Sequence, residues 1–105
     1  MLVLSNSEYN NVSKDVIVVA ITSNLLQNGI KISNNDMSVG FLPKASVVKI
    51  DKVYTLEQSI VIKKIGKVNE CVSKDVFDEF VKLINVSVKT ISSAQRTLSV
   101  TYASP

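Results

Sequence analysis

The stretch at 16–21, Val-Ile-Val-Val-Ala-Ile, does most to limit what this chain can become. Every residue in it except Ala20 is β-branched, which favours an extended backbone. Odd and even positions are equally apolar, so a strand made from them must be covered on both faces and must sit inside a sheet. The run is far too short to cross a bilayer, which takes about 20 apolar residues. It ends abruptly in Thr22, Ser23 and Asn24. The mean hydropathy of +0.24 therefore reflects buried sheet. Residues 1–4 are apolar but lack the basic flank and small-residue cleavage site of a signal peptide. The single cysteine, Cys71, can form no internal disulfide. A cytoplasmic location without membrane contact is expected.

A length of 105 residues suits one domain. Residues 1–5 read as a short strand. Asn28-Gly29, both tolerant of positive φ, predict a hairpin joining the central strand to the alternating Ile30-Lys31-Ile32. Residues 34–40 read as polar loop. A strand over 45–50 is interrupted at Asp51-Lys52 and resumes at Val53-Tyr54-Thr55, which implies a bulge or bend at Asp51 or Lys52. A single turn over 56–59 leads into a last strand at 60–67.

The tetrapeptide Ser-Lys-Asp-Val occurs twice, at 13–16 and at 73–76. The first copy leads into the apolar strand. The second leads into Phe77, Phe80, Val81, Leu83 and Ile84 at three- and four-residue steps, a helix from about 73 to 85 with one wide apolar stripe. Ser73 is its expected N-cap, and Asp75, Asp78 and Glu79 are expected on a solvated face near the positive end. Phe77, Phe80 and Ile84 are expected to pack on the 16–21 strand. The fold expected from these elements is mainly β with one main helix, a small, strongly bent barrel-like sheet closed by that helix. The domain covers 1–86. In the tail, 87–105, Val100 and Tyr102 suit an edge strand, and a weakly ordered segment is the alternative.

With no His anywhere, His general bases, Ser-His-Asp and Cys-His arrangements and His-bearing zinc sites are excluded. Gly-rich phosphate loops are absent, and neither cofactor nor metal is expected. The net charge of +3 and pI near 9.1 permit an RNA or acidic-peptide partner without requiring one. Lys63, Lys64 and Lys67 form the densest basic cluster, first a solvated strand edge and second a nucleic-acid patch. Cys71 has no base near it in sequence and reads as an incidental thiol. The feature that stands out is the change from buried strand to Thr22, Ser23 and Asn24, a rim of donors where a phosphate can dock.

In order and spacing, residues 1–84 resemble the MazF/PemK toxins of type II toxin–antitoxin systems. Leu2-Val3-Leu4-Ser5-Asn6 followed by Asn10 is similar to the family's apolar strand and Asn-containing loop. Residues 16–24 look like its central strand and hydroxyl rim, and Leu42-Pro43-Lys44-Ala45-Ser46-Val47-Val48 like its next strand entry. Thr55-Leu56, Lys64-Ile65-Gly66 and the amphipathic helix come in the family's order.

The resemblance implies an SH3-like barrel of the MazF/CcdB type with a C-terminal helix, usually a homodimer. It also implies endoribonuclease activity, metal-independent cleavage of single-stranded RNA in which the 2′-OH attacks its own phosphorus and leaves a cyclic phosphate. The family uses an Arg and a Thr. Thr22 falls on the Thr position and, being no base at neutral pH, would hydrogen-bond the scissile phosphate. Ser23, Asn24, Asn10 and Lys44 are the expected RNA contacts. The family's Gly-x-Arg-Pro element, and the strand before it, precede the position of Met1, so the sequence is expected to be N-terminally incomplete. Lys44 would then be the substitute cation, and the tail near Val100 would cover the opened sheet edge. Arg96 lies in the tail, outside the resemblance.

The implied partners are single-stranded RNA and a cognate antitoxin peptide, acidic and disordered until bound. A rival is a catalytically inactive or truncated homologue acting as an antitoxin- or nucleic-acid-binding module, supported by the missing Arg. A gyrase poison of the CcdB type fits less well, because it relies on a C-terminal Trp and this sequence has none.

Overall fold

The computed structural model describes residues 1–84 and 98–103. The elements in chain order are β1 (Leu2–Val3), α1 (Ser7–Val12), β2 (Asp15–Thr22), β3 (Ile30–Ile32), β4 (Met37–Gly40), β5 (Ser46–Glu57), β6 (Val61–Val68), α2 (Glu70–Ile84) and β7 (Ser99–Ala103), with 3-10 turns at Asn34–Asp36 and Gln58–Ile60. The strands form one sheet in the order β3-β5-β2-β1-β7-β6-β4, and every ladder is antiparallel. The sheet curls into a half-barrel beside α2, the mainly β, barrel-like fold with a late helix that the sequence implies.

β2 lies between β1 and β5, as a strand apolar on both faces requires. Val19 joins Leu2, Val48, Val68, Val76 and Val100 in the main core. Val16 and Val18 turn the other way and meet Val3, with Met1, Leu56 and Val61 packed around them. The expected interruption in β5 is present. Val19 faces Val53 while Ala20 faces Lys49, so Ile50, Asp51 and Lys52 bulge out of the ladder and bend the strand.

Several expectations are corrected. β2 and β3 do not form a hairpin: β5 pairs with both and separates them, so loop 23–29 crosses over β5. Gly29 (φ +153) permits this, since a Cβ there would collide with the Val48 carbonyl oxygen and the Val47 side chain. The Asn-containing loop after β1 is a short helix, α1, capped by Asn6, whose Oδ1 accepts from Tyr9 N–H at 2.9 Å. The polar loop at 34–40 contains β4, which pairs with β6.

α2 starts before Ser73. Asn69 Oδ1 accepts from Val72 N–H at 2.9 Å and takes the capping role. Ser73 is buried inside the helix, where its hydroxyl donates to the Asn69 carbonyl (3.2 Å) and accepts from Leu98 N–H (3.1 Å). This earlier start moves the buried stripe to the first turns, Val72, Ser73 and Val76, with Phe77 packed partly against the core. Phe80 is half-buried, and Ile84 is 64% exposed. The helix packs chiefly on β5 and β3, and shares the main core with Val19 and Ile21 of β2. Asn85, its expected end, lies outside the described residues.

The tail strand is not at an edge. β7 lies between β1 and β6, and Leu98 and Val100 are buried in the main core. Met1 and Thr101 exchange backbone bonds, each 2.7 Å. Burial holds the Met1 amino group below its ordinary pKa. No helix among the described residues is long and apolar enough to cross a membrane.

Candidate functional site

Thr22 is the last residue of β2, half-buried and opposite Val47 of β5. Its Oγ1 accepts from Asn24 N–H at 3.1 Å, and Asn24 Oδ1 accepts from Leu26 N–H at 3.1 Å. Two successive side-chain-to-backbone turns thus shape the start of loop 23–29. Because Thr22 Oγ1 is already an acceptor, its own proton is free to be donated elsewhere. Ser23 and the rest of Asn24 are exposed. The far end of the loop is tethered by Lys49, whose Nζ donates to Gln27 Oε1 at 3.1 Å.

The register gathers cations here. Lys44 precedes Val47 by three residues, so it leaves the sheet at the same end as residues 22–24. Its carbonyl accepts from Ser46 Oγ at 2.9 Å, while its side chain is exposed. Lys31 of β3 also faces Val47, which sets Thr22, Val47 and Lys31 in one row across three strands. Sequence reasoning missed Lys31 as a site residue. The alternation Ile30-Lys31-Ile32 shows that it leaves the core face, but only the pairing of β5 with both neighbours puts it in line with Thr22.

Asn10 is elsewhere. Its Oδ1 accepts from Ser5 Oγ (2.6 Å) and its Nδ2 donates to the Ser5 carbonyl (3.1 Å), while Ser5 Oγ accepts from Ile17 N–H (3.0 Å). Asn10 therefore closes α1 against the opposite end of β2. Thr22, Ser23, Asn24 and Lys44 lie at the same end of the sheet, and Asn10 does not.

A wider groove of about 810 Å³ opens between α2 and the bulge of β5. Asp51, Asp75, Asp78 and Glu79 line it against the single cation Lys82, so it repels phosphate. Cys71 is an exposed free thiol. Among the described residues, no three acidic or cysteine side chains gather as a metal site would need.

Residues 1–88 match the family model of the PemK-like, MazF-like toxins of type II toxin–antitoxin systems. No curated protein matches the chain.

Proposed function

The chain belongs to the PemK/MazF family of type II toxins, and from that premise we propose that it is an endoribonuclease whose cleavage centre is the Thr22 rim. The carrying observation is the Thr22 hydroxyl, held as an acceptor by Asn24 N–H at an open strand end with its proton still to give. As the 2′-oxygen bonds to its own phosphorus it gives up its proton and the P–O5′ bond breaks, with the 5′-oxygen taking a proton as it leaves; with no His in the sequence, water carries both protons and the protein supplies the alignment. The protein must hold that alignment and stabilise the added negative charge on the phosphorane. Thr22 donates to a phosphate oxygen, and Ser23 and Asn24 add neutral donors. Lys44 and Lys31 supply charge, as point charges without the guanidinium fork.

The family resemblance puts an Arg in a Gly-x-Arg-Pro element immediately ahead of β1. Leu2 faces Val19 in an antiparallel ladder, and that register continued past Met1 brings such an Arg level with Thr22. Cytoplasmic action, a homodimer and inhibition by an acidic antitoxin segment complete the proposal. The domain is read as residues 1–86. A binding module without catalysis is the second reading, favoured by the absence of Arg from the described residues.

Cleavage of a long single-stranded RNA in the presence of a chelator tests both. The chain extended at its N-terminus by a segment ending in Gly-x-Arg-Pro should leave 2′,3′-cyclic phosphate ends, and Thr22→Ala in it should slow cleavage about 10²–10³-fold. Strong cleavage by the unextended chain would assign the charge to Lys44 or Lys31. Failure of the extended chain, or indifference to Thr22→Ala, would leave the binding module.

A further inference from the structure

Asn10 and Lys67 are distant in sequence, and neither belongs to the Thr22 rim. The fold brings both to one small cavity of about 160 Å³. Ser5, Asn6, Ser7 and Asn10 line it from the turn between β1 and α1, Lys67 from β6 and Ser99 from β7. The register explains the convergence. Lys67 faces Ser99, and Leu2 faces Val100, which sets Ser99 beside Val3. Val3 in turn faces Val18 of β2. One row therefore runs across β6, β7, β1 and β2, and the cavity opens on it.

The lining is chemically uniform. It offers hydroxyls, amides and one ammonium over the apolar Val3, and no carboxylate. Among the described residues Lys67 takes part in no ion pair. The Ser5–Asn10 pair is locked by its mutual bonds and by Ile17 N–H, so that part of the wall needs no ordering when a ligand arrives. The volume is several times the ~30 Å³ share of one water molecule. A tetrahedral oxyanion fits these groups, with its charge on Lys67 and its oxygens accepting from the Ser7 and Ser99 hydroxyls and the Nδ2 groups of Asn6 and Asn10, while the Ser5 proton stays on Asn10 Oδ1.

We propose that this cavity holds a backbone phosphate of the RNA, a second docking point that fixes the strand's register on the enzyme. The proposal rests on the ribonuclease reading. Val18 and Thr22 point to the same face of β2 as Val3, and they stand four residues apart, roughly 13 Å along the strand. Val18 is buried there with Met1, Leu56 and Val61 packed against its cluster, so a single strand that reaches both the cavity and the rim passes over these apolar side chains. A phosphate contact of this kind positions without reading sequence, and holding the strand at two points aligns the reacting bond at the rim.

Two titrations of the full chain test it. Inorganic phosphate added to the ¹⁵N-labelled protein should shift amide signals of Ser5, Ser7 and Ser99, an effect abolished by Lys67→Gln and kept by Lys67→Arg. A single-stranded RNA oligonucleotide should bind Lys67→Gln about tenfold more weakly, with a log–log salt slope reduced by about 0.7. Lys63→Gln, which removes the same charge outside the cavity, should lose less. Absent or scattered phosphate shifts would overturn the proposal, as would equal losses in Lys67→Gln and Lys63→Gln. If the unaltered chain binds no RNA, the ribonuclease reading itself fails. Phosphate shifts confined to the cavity would then assign it to free anions and overturn the RNA docking role.

Discussion

Ser-Lys-Asp-Val at 13–16 and at 73–76 has one sequence and two structures. In the first copy Ser13 closes α1, its N–H donating to the Tyr9 carbonyl at 3.0 Å. Its hydroxyl accepts from Asp15 N–H, also at 3.0 Å, and Asp15 opens β2. In the second copy all four residues lie within α2, and the Ser73 hydroxyl serves Leu98 N–H, 25 positions away. Both valines are buried, Val16 in the small cluster and Val76 in the main core. The tetrapeptide therefore carries no conformation of its own. The flanking residues decide: the end of α1 before Ser13 and a β-branched run after Val16, against the Asn69 cap before Ser73 and apolar residues at helical steps after Val76. The Ser side chain then bonds whichever N–H its surroundings leave open.

Identical substitutions in the two copies sharpen or break this contrast. Proline separates them most. Ser73→Pro interrupts a buried helix and should cost at least about 3 kcal/mol. Ser13→Pro gives up two bonds at the end of a short helix, the one its N–H donates to Tyr9 and the one its hydroxyl accepts from Asp15 N–H, and should cost about 1–2 kcal/mol. Thermal melts showing equal losses would mean that the second copy is no more helical than the first. Valine truncation comes next. Val76→Ala should cost about 2 kcal/mol and Val16→Ala somewhat less, because the smaller cluster has fewer neighbours to leave a cavity among. Urea midpoints in the reverse order would make the Val16 cluster the more important core. The smallest difference is expected for the hydroxyls. Ser73→Ala strands a buried N–H, at about 1–2 kcal/mol, while Ser13→Ala frees one that water can reach, at about 0.5 kcal/mol. Hydrogen exchange at Leu98 should accelerate only in Ser73→Ala, and unchanged exchange there would remove the bond from the account.

The features legible in the sequence are those set by neighbours along the chain. The burial of β2 on both faces comes from its unbroken β-branched run, and the β5 bulge from a change of phase at Asp51-Lys52. The Thr22 rim is visible because three polar residues end an apolar strand. The features that are not legible depend on partners distant in sequence. Asn28-Gly29 signals a turn, but turn chemistry cannot say that another strand lies between the two it joins. Asn69 is hidden as a cap because Ser73-Lys74-Asp75 imitates a helix start. Lys31 enters the rim only through the register of a third strand, and Lys67 meets Asn10 only because β7 separates β1 from β6.

That last insertion sets an order in time. Met1 donates to the Thr101 carbonyl across a separation of 100 positions. Such a contact forms slowly, because the loop it closes is long. Domains begin to fold from the N-terminus during synthesis, so β1 leaves the ribosome with one side unpaired, and β6 later joins it in the same condition. The two half-sheets, and the cavity between Asn10 and Lys67, close only after residues 98–103 have been made.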